Sequence, residues 1–205
     1  TTFLTSVFLG LAMGAGALFA ICIGRGDMAA LRRAAALALC LIGAVTAVLT
    51  ALVYALLSPI LRFLQVPETL RGDMAGYLRI IFVGLAATFL YNFFACLLRA
   101  AGNSAAPLWF LGGAALLNVG LDLLFVLVCR WGVAGAAAAT VTAQYAAGLG
   151  LTVYALRRCR ELLPRRTDFR FDRRILRELL DLSLLTCVQQ SAMNFGILLV
   201  QRLVD

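Results

Sequence analysis

Six long apolar segments alternate with short polar connectors along the chain. They cover Thr2–Ile23, Ala34–Leu57, Gly76–Leu98, Ala106–Val128, Val133–Leu156 and Leu179–Gln201. Each is close to the roughly 20 residues that a helix needs to cross a bilayer. The pattern predicts an all-α integral membrane protein with six transmembrane helices, which we call segments A to F in this order.

The composition and the distribution of charge agree with a membrane protein. Only 14% of the residues are charged, whereas soluble domains carry roughly 25%. All eighteen basic residues are arginine, and thirteen of them follow segments A, C and E. The positive-inside rule places these connectors in the cytoplasm. Because the arginines lie in gaps between apolar segments, the net charge of +8 does not predict a nucleic-acid partner.

Residues 157–178 form the one long polar connector, and they contain nine of the arginines. The connector divides the chain into residues 1–156 and 179–205. Apolar positions from Ile175 to Leu180 follow helical spacing and predict an amphipathic helix that leads into segment F. The arginines either set the membrane topology or also contact anionic lipid headgroups. On the other side, segment B is expected to end at Ser58-Pro59, and Pro59–Glu68 predicts a short helix at the membrane interface.

Asp122 is the one charged residue in the otherwise uncharged stretch from Ala100 to Cys129. Asn118 lies one helical turn earlier, so the two side chains share a helix face. A buried carboxylate is costly unless it is paired, solvated or protonated, and within a membrane helix it suggests a functional site. Two interpretations follow: Asp122 pairs with a polar group on another helix, or it binds a proton or cation in a cavity.

Polar residues on segments E and F are candidate partners. Thr140 and Gln144 lie one turn apart on segment E. Segment F has a polar stripe at helical spacing that consists of Thr186, Gln190, Asn194 and Gln201. These groups either line a substrate path or form hydrogen bonds between helices. Glycines at positions 10, 14 and 16 of segment A predict either close helix packing or a hinge.

Other kinds of chemistry have little support in the sequence. The six cysteines are widely spaced and histidine is absent, so neither a metal site nor a disulfide framework is expected. No nucleophile–base arrangement is present, and we expect no enzymatic activity. The chain starts with Thr1 inside an apolar segment, without a signal-peptide pattern. We therefore expect the natural protein to continue at both ends.

Five short motifs, in this order and spacing, resemble those of multidrug and toxic-compound extrusion (MATE) transporters. They are Gly24–Asp27 with Arg32–Ala34, Tyr77–Ile80, Leu98–Asn103 with Pro107, Asn118–Asp122 with Phe125, and Gly132–Ala137 with Thr140. The resemblance implies that segments A to E are helices two to six of an amino-terminal lobe. Segment F would be the first helix of the second lobe in a twelve-helix, two-lobe bundle.

The resemblance also implies a function and a site. Such transporters export cationic amphipathic compounds in exchange for H⁺ or Na⁺, and Asp122, Asn118 and Thr140 match positions of their cation or proton site. From the polar pattern itself, Gln144, Gln190 and Asn194 are the candidates to line a cavity, with packing between helices as the alternative. The expected partners are membrane lipids and a small cationic substrate, for a monomer in the inner cell membrane without a cofactor. A lipid-linked oligosaccharide flippase and a non-transporting membrane scaffold are the alternatives.

Overall fold

The computed structural model describes residues 2–63, 68–165, 168–169 and 172–204. Within that part of the chain there are six long α-helices, which confirms the predicted helical class and the predicted number of helices. They are α1 (Thr2–Gly24), α2 (Met28–Phe63), α3 (Glu68–Ala100), α4 (Ala105–Asp122), α5 (Gly132–Arg158) and α6 (Arg173–Val204). A π-helical segment, Leu123–Val128, extends α4, and a 3₁₀ turn, Arg160–Leu162, follows α5.

Segments A to F each lie within the corresponding helix, except that segment D continues into the π-helical segment, and two boundaries differ from the prediction. Helix α2 continues through Pro59 to Phe63, so the expected end at Ser58-Pro59 is wrong. Membrane helices tolerate proline because neighbouring groups satisfy the freed backbone carbonyl. The predicted interface helix Pro59–Glu68 is therefore the last turn of α2 as far as Phe63. Residues 64–67 lie outside the described residues.

The connector between segments E and F is shorter than the sequence predicted. Helix α5 extends to Arg158, and α6 begins at Arg173 without a break before segment F. The side chain of Asp172 caps the amino terminus of α6, because its Oδ1 accepts a hydrogen bond from the backbone N–H of Arg174 at 3.0 Å. The predicted amphipathic helix is thus the first part of α6. Asp27 caps α2 in the same way, by accepting the N–H of Ala30 at 2.9 Å.

Among the described residues, three stretches are long and apolar enough to cross a membrane. They are Met28–Leu52, Ile80–Ala100 and Ala105–Val128, and a shorter apolar stretch covers Leu9–Gly24. Helix α5 contains more glycine than these stretches and more polar side chains such as threonine, which lowers its hydropathy. Polar groups in such helices require contact with other helices or with water.

The chain divides into two compact units, and the division passes through α2, α3 and α5. Unit 1 contains residues 1–43, 92–104 and 155–205, and unit 2 contains residues 44–91 and 105–154. The core of unit 1 includes large side chains that are fully buried: Leu18, Phe19, Leu31, Phe93, Leu97, Leu98 and Leu179. In unit 2 the fully buried positions are mostly small, with Ala87, Ala137, Ala139 and Leu151.

Close contacts at glycine support the packing interpretation of segment A. In unit 1, a Cβ atom at Gly10 would lie 2.7 Å from the Cα of Cys187 on α6, and one at Gly14 would overlap the backbone of Ser183. Gly16 faces Cys96 on α3, with its Cβ position 3.1 Å from the Cβ of that cysteine. Helix α1 therefore approaches two neighbours through positions where glycine is the residue that fits.

Candidate functional site

Asp122 is the last residue of α4, and its side chain is half-buried. Its Oδ1 atom is buried and has no hydrogen-bond partner among the described residues. An unsatisfied buried oxygen of a carboxylate is costly unless a proton, a cation or water compensates it. Asp122 is thus a candidate binding group for a small cation or a proton.

The backbone changes from α-helical to π-helical at the residue after Asp122. The π segment Leu123–Val128 is followed by a bond from the N–H of Cys129 to the carbonyl oxygen of Leu124 at 2.9 Å. Phe125 in this segment stacks on Trp131, with ring centroids 5.1 Å apart. A π-helical segment is rare in proteins, and this one ends the helix directly after Asp122. No feature of the apolar sequence Leu123–Val128 had indicated this wider turn.

Asn118 and Thr140, predicted from the sequence as site residues with Asp122, face each other across α4 and α5. The Nδ2 of Asn118 lies 3.5 Å from the Oγ1 of Thr140, which is a long hydrogen bond. The Thr140 hydroxyl donates to the carbonyl oxygen of Ala136 at 3.0 Å. The oxygen of Thr140 thus accepts from α4 while its proton is used within α5. Among the described residues, Asp122 forms no hydrogen bond to this pair.

Gln144 and Tyr145 on α5 contact α3 in unit 2. The Oε1 of Gln144 lies so close to Gly84 that a Cβ atom there would overlap it. The hydroxyl of Tyr145 donates to the carbonyl oxygen of Val83 at 3.1 Å. These contacts fit the interpretation of Gln144 as a packing residue, although its role in lining a cavity stays a prediction.

On α6, the polar stripe divides between packing and partial exposure. The hydroxyl of Thr186 lies 2.6 Å from the carbonyl oxygen of Gly10 on α1, so the first member of the stripe joins two helices. Gln190 and Asn194 are half-buried in unit 1. Asp122, Asn118 and Thr140 belong to unit 2. The proposal that Gln190 and Asn194 line a cavity stays a prediction.

Unit 1 also contains a charged cavity of about 240 Å³ that the sequence did not indicate. Its lining combines apolar side chains with three arginines and three carboxylates: Leu18, Cys22, Arg25, Asp27, Ala30, Arg33, Asp172, Arg174, Ile175 and Glu178. Arg33 pairs with Asp172 at 3.6 Å, and Arg174 pairs with Glu178 at 3.4 Å. Among the described residues, no group of three His, Cys, Asp or Glu side chains is arranged to hold a metal ion.

Comparison with known proteins identifies the family. The sequence model of the MatE family matches residues 1–124, which is more than half of the chain. The chain belongs to the MatE family. Membership in a family of transporters agrees with the expectation that it is not an enzyme, and it makes the chain part of an integral membrane protein.

Individual relatives and solved structures are similar to the chain over different lengths. The probable multidrug resistance protein YpnP of Bacillus subtilis (strain 168) is 44% identical over 85 residues, which cover 42% of this chain and 19% of YpnP. An inward-facing multidrug resistance MATE transporter of the MOP superfamily has a TM-score of 0.86 at 21% identity and covers 95% of this chain. An outward-facing one has a TM-score of 0.85 at 22% identity and covers 96%.

These matches define what part of a MatE protein is present. The chain spans 44% of the length of both solved structures and less than a quarter of YpnP. The six-helix arrangement, α6 included, has nearly the same similarity to an inward-facing and an outward-facing relative. The fold of this part is therefore common to both kinds of structure.

Proposed function

We propose that this chain is part of a secondary active exporter of cationic amphipathic compounds, driven by H⁺ or Na⁺. The exporter acts as a monomer in the inner cell membrane and moves its substrate by alternating access between two six-helix lobes. The name of the relative YpnP supports multidrug resistance as the biological context. The observation that carries the proposal is the buried, unpartnered Oδ1 of Asp122.

Asp122 has the properties that a coupling group needs. Its Oδ1 is withdrawn from solvent, while the side chain as a whole keeps some exposure. A buried carboxylate oxygen without a hydrogen-bond partner is available to a proton or a small cation, because its charge is otherwise uncompensated. Asp122 with a bound proton or cation therefore favours different surroundings from Asp122 as a bare carboxylate.

The neighbouring groups suggest how binding at Asp122 changes the packing of α4 and α5. Asn118 and Thr140 already connect the two helices through a long hydrogen bond. Both side chains carry oxygen atoms that a small cation can share with a carboxylate. Binding at Asp122 would draw Asn118 and Thr140 toward the same ion, and the π segment after Asp122 would absorb the shift. The change in helix packing would then release the substrate outward.

The flippase alternative has less support, because the curated relative YpnP is described as a multidrug resistance protein. A membrane scaffold would need Asp122 only for folding. Substrate transport separates these proposals from the antiporter, since each predicts a different response to the loss of the carboxylate.

The test is Asp122→Asn in the complete transporter that contains this chain, reconstituted in liposomes. We expect efflux of a cationic dye driven by a proton or Na⁺ gradient to fall by about a hundredfold or more. Asparagine can neither bind and release a proton nor offer a negative charge to Na⁺. Efflux at the original rate would show that Asp122 is not the coupling group. A lower yield of folded protein with normal efflux per molecule would favour the scaffold.

Asp181→Asn is the matched control. Asp181 is an exposed aspartate on α6, and the structure gives it no ion pair among the described residues. The same chemical change should therefore leave efflux within about twofold. If both variants lose coupling equally, the effect comes from net charge and not from a site at Asp122.

A further inference from the structure

Exposed arginines are concentrated in unit 1 around the connector between α5 and α6. The end of α5, the connector and the first turns of α6 present six exposed arginines without an ion pair among the described residues. They are Arg157, Arg158, Arg160, Arg165, Arg173 and Arg177, which we call the arginine surface. All six belong to the same compact unit.

The nearby carboxylates do not neutralise this surface, because most of them are used inside unit 1. Asp168 lies 3.6 Å from the Nε of Arg32 on α2 and also accepts the backbone N–H of Arg165 at 2.8 Å. Asp172 pairs with Arg33. Glu161 and Asp181 remain exposed, so the six arginines keep an excess of positive charge.

The arginine surface adjoins exposed apolar groups near the end of α5 and the start of α6. Phe169, in the middle of the connector, is 51% exposed, and Leu180 on α6 is 44% exposed. Arg157 and Arg158 occupy the last turn of α5. Aromatic side chains beside arginines at the ends of membrane helices are suited to the headgroup region, where the ring contacts acyl chains and the cation contacts phosphate.

We propose that the arginine surface binds the headgroups of anionic phospholipids in the cytoplasmic leaflet. Guanidinium groups bind phosphate through paired hydrogen bonds in addition to charge attraction. The inward use of Asp168 and Asp172 keeps carboxylates from competing with the phosphate, and Phe169 anchors the connector at the acyl boundary. This binding does not depend on efflux, so it can hold or fail separately from the proposed transport.

The test measures binding of phosphatidylglycerol to the complete transporter in nanodiscs that otherwise contain phosphatidylcholine. We expect native mass spectrometry to show retention of phosphatidylglycerol over phosphatidylcholine. Arg158→Gln should weaken that retention about fivefold, because one basic residue near an anionic surface contributes about 1 kcal/mol to binding. The triple change of Arg157, Arg158 and Arg165 to glutamine should weaken it more than tenfold.

Arg130→Gln is the matched control, because Arg130 is also exposed but lies outside the arginine surface and is separated in the sequence from every other arginine. It should change retention less than twofold. If the triple variant does not insert, the pair of single variants decides the question. An equal loss in Arg130→Gln and Arg158→Gln, or no preference for phosphatidylglycerol in the unchanged protein, overturns the proposal.

A soluble polyanion provides the second comparison. Excess inorganic polyphosphate should not displace phosphatidylglycerol, since the exposed Phe169 adds an acyl contact that polyphosphate lacks. Displacement by polyphosphate at a similar phosphate concentration would assign the surface to polyanions in general and overturn the assignment to lipid. Phe169→Ala should weaken lipid retention and leave any binding of polyphosphate unchanged.

Discussion

Helices α1 and α4 are both apolar and glycine-containing, yet they have opposite surroundings. In α1, Leu18 and Phe19 are fully buried, and Gly14 faces the backbone of α6. In α4, Trp109 is 81% exposed and Leu116 is 78% exposed. A Cβ atom added to any of the three glycines of α4 would meet no atom within 4 Å. Apolar composition therefore does not determine which helix is packed.

The difference has a physical explanation in how membrane helices associate. Lipid chains are as apolar as leucine, so burial against another helix gains little unless the surfaces fit closely. Helix α1 fits α6 and α3 through Gly10, Gly14 and Gly16. Helix α4 keeps an exposed apolar face in this structure, while Asn118 contacts α5. We expect α1 to be a fixed element and α4 to be the helix that can shift.

The largest expected effect is that of Phe19→Ala on α1. Phe19 is completely buried and contacts Phe93 edge to face, with ring centroids 6.0 Å apart. Loss of the ring removes packing contacts and leaves a cavity, so we expect a loss of about 3 kcal/mol in the free energy of unfolding. Thermal unfolding of the complete transporter in detergent measures it.

Trp109→Ala on α4 is the comparison for Phe19→Ala. It removes a larger ring from a position that is mostly exposed, so the free energy of unfolding should change by less than about 0.5 kcal/mol. If Trp109→Ala destabilises the protein as much as Phe19→Ala does, the contrast between α1 and α4 is wrong.

The next effect is smaller and concerns the glycines themselves. Gly14→Ala places a methyl group against the backbone of Ser183, so α1 and α6 have to separate. We expect a loss of about 2 kcal/mol in the free energy of unfolding, a typical cost of overpacking. Gly112→Ala on α4 meets no atom and should be neutral or stabilising by up to about 1 kcal/mol, because alanine favours helix.

The same thermal unfolding experiment compares the two glycine variants under identical conditions. Equal stability of Gly14→Ala and Gly112→Ala would mean that α1 and α6 are not in close contact in the membrane protein.

The sequence predicted the helices well because long apolar segments have few other ways to satisfy the backbone in a membrane. It also indicated that the glycines of segment A allow close approach. It could not identify α6 as the partner, because that choice depends on the fit between Gly14 and Ser183 in three dimensions. The continuation of α2 through Pro59 was missed for a related reason. The sequence does not show whether neighbouring groups can satisfy the backbone carbonyl that a proline frees within a helix.

The candidate site was predicted in part. Helical spacing placed Asn118 and Asp122 on one face, and Thr140 was proposed from the polar pattern of the next segment. The structure brings Thr140 to Asn118 and gives no hydrogen bond between Thr140 and Asp122. The π segment and the ion pair between Arg32 and Asp168 had no local sequence signal. The ion pair depends on a contact between residues that are distant in the chain. The π segment is a backbone change within an apolar run.

The smallest expected effect concerns the hydrogen bond that joins α1 and α6. The Thr186 hydroxyl contacts the carbonyl oxygen of Gly10 at 2.6 Å in addition to carbonyls of its own helix. Thr186→Val keeps the shape and removes the donor, so the free energy of unfolding should fall by about 0.6 kcal/mol. Thr142→Val is the control, because the hydroxyl of Thr142 donates within α5, to Ala138 at 2.7 Å. If both variants unfold at the same temperature, the bond between α1 and α6 adds nothing to their packing.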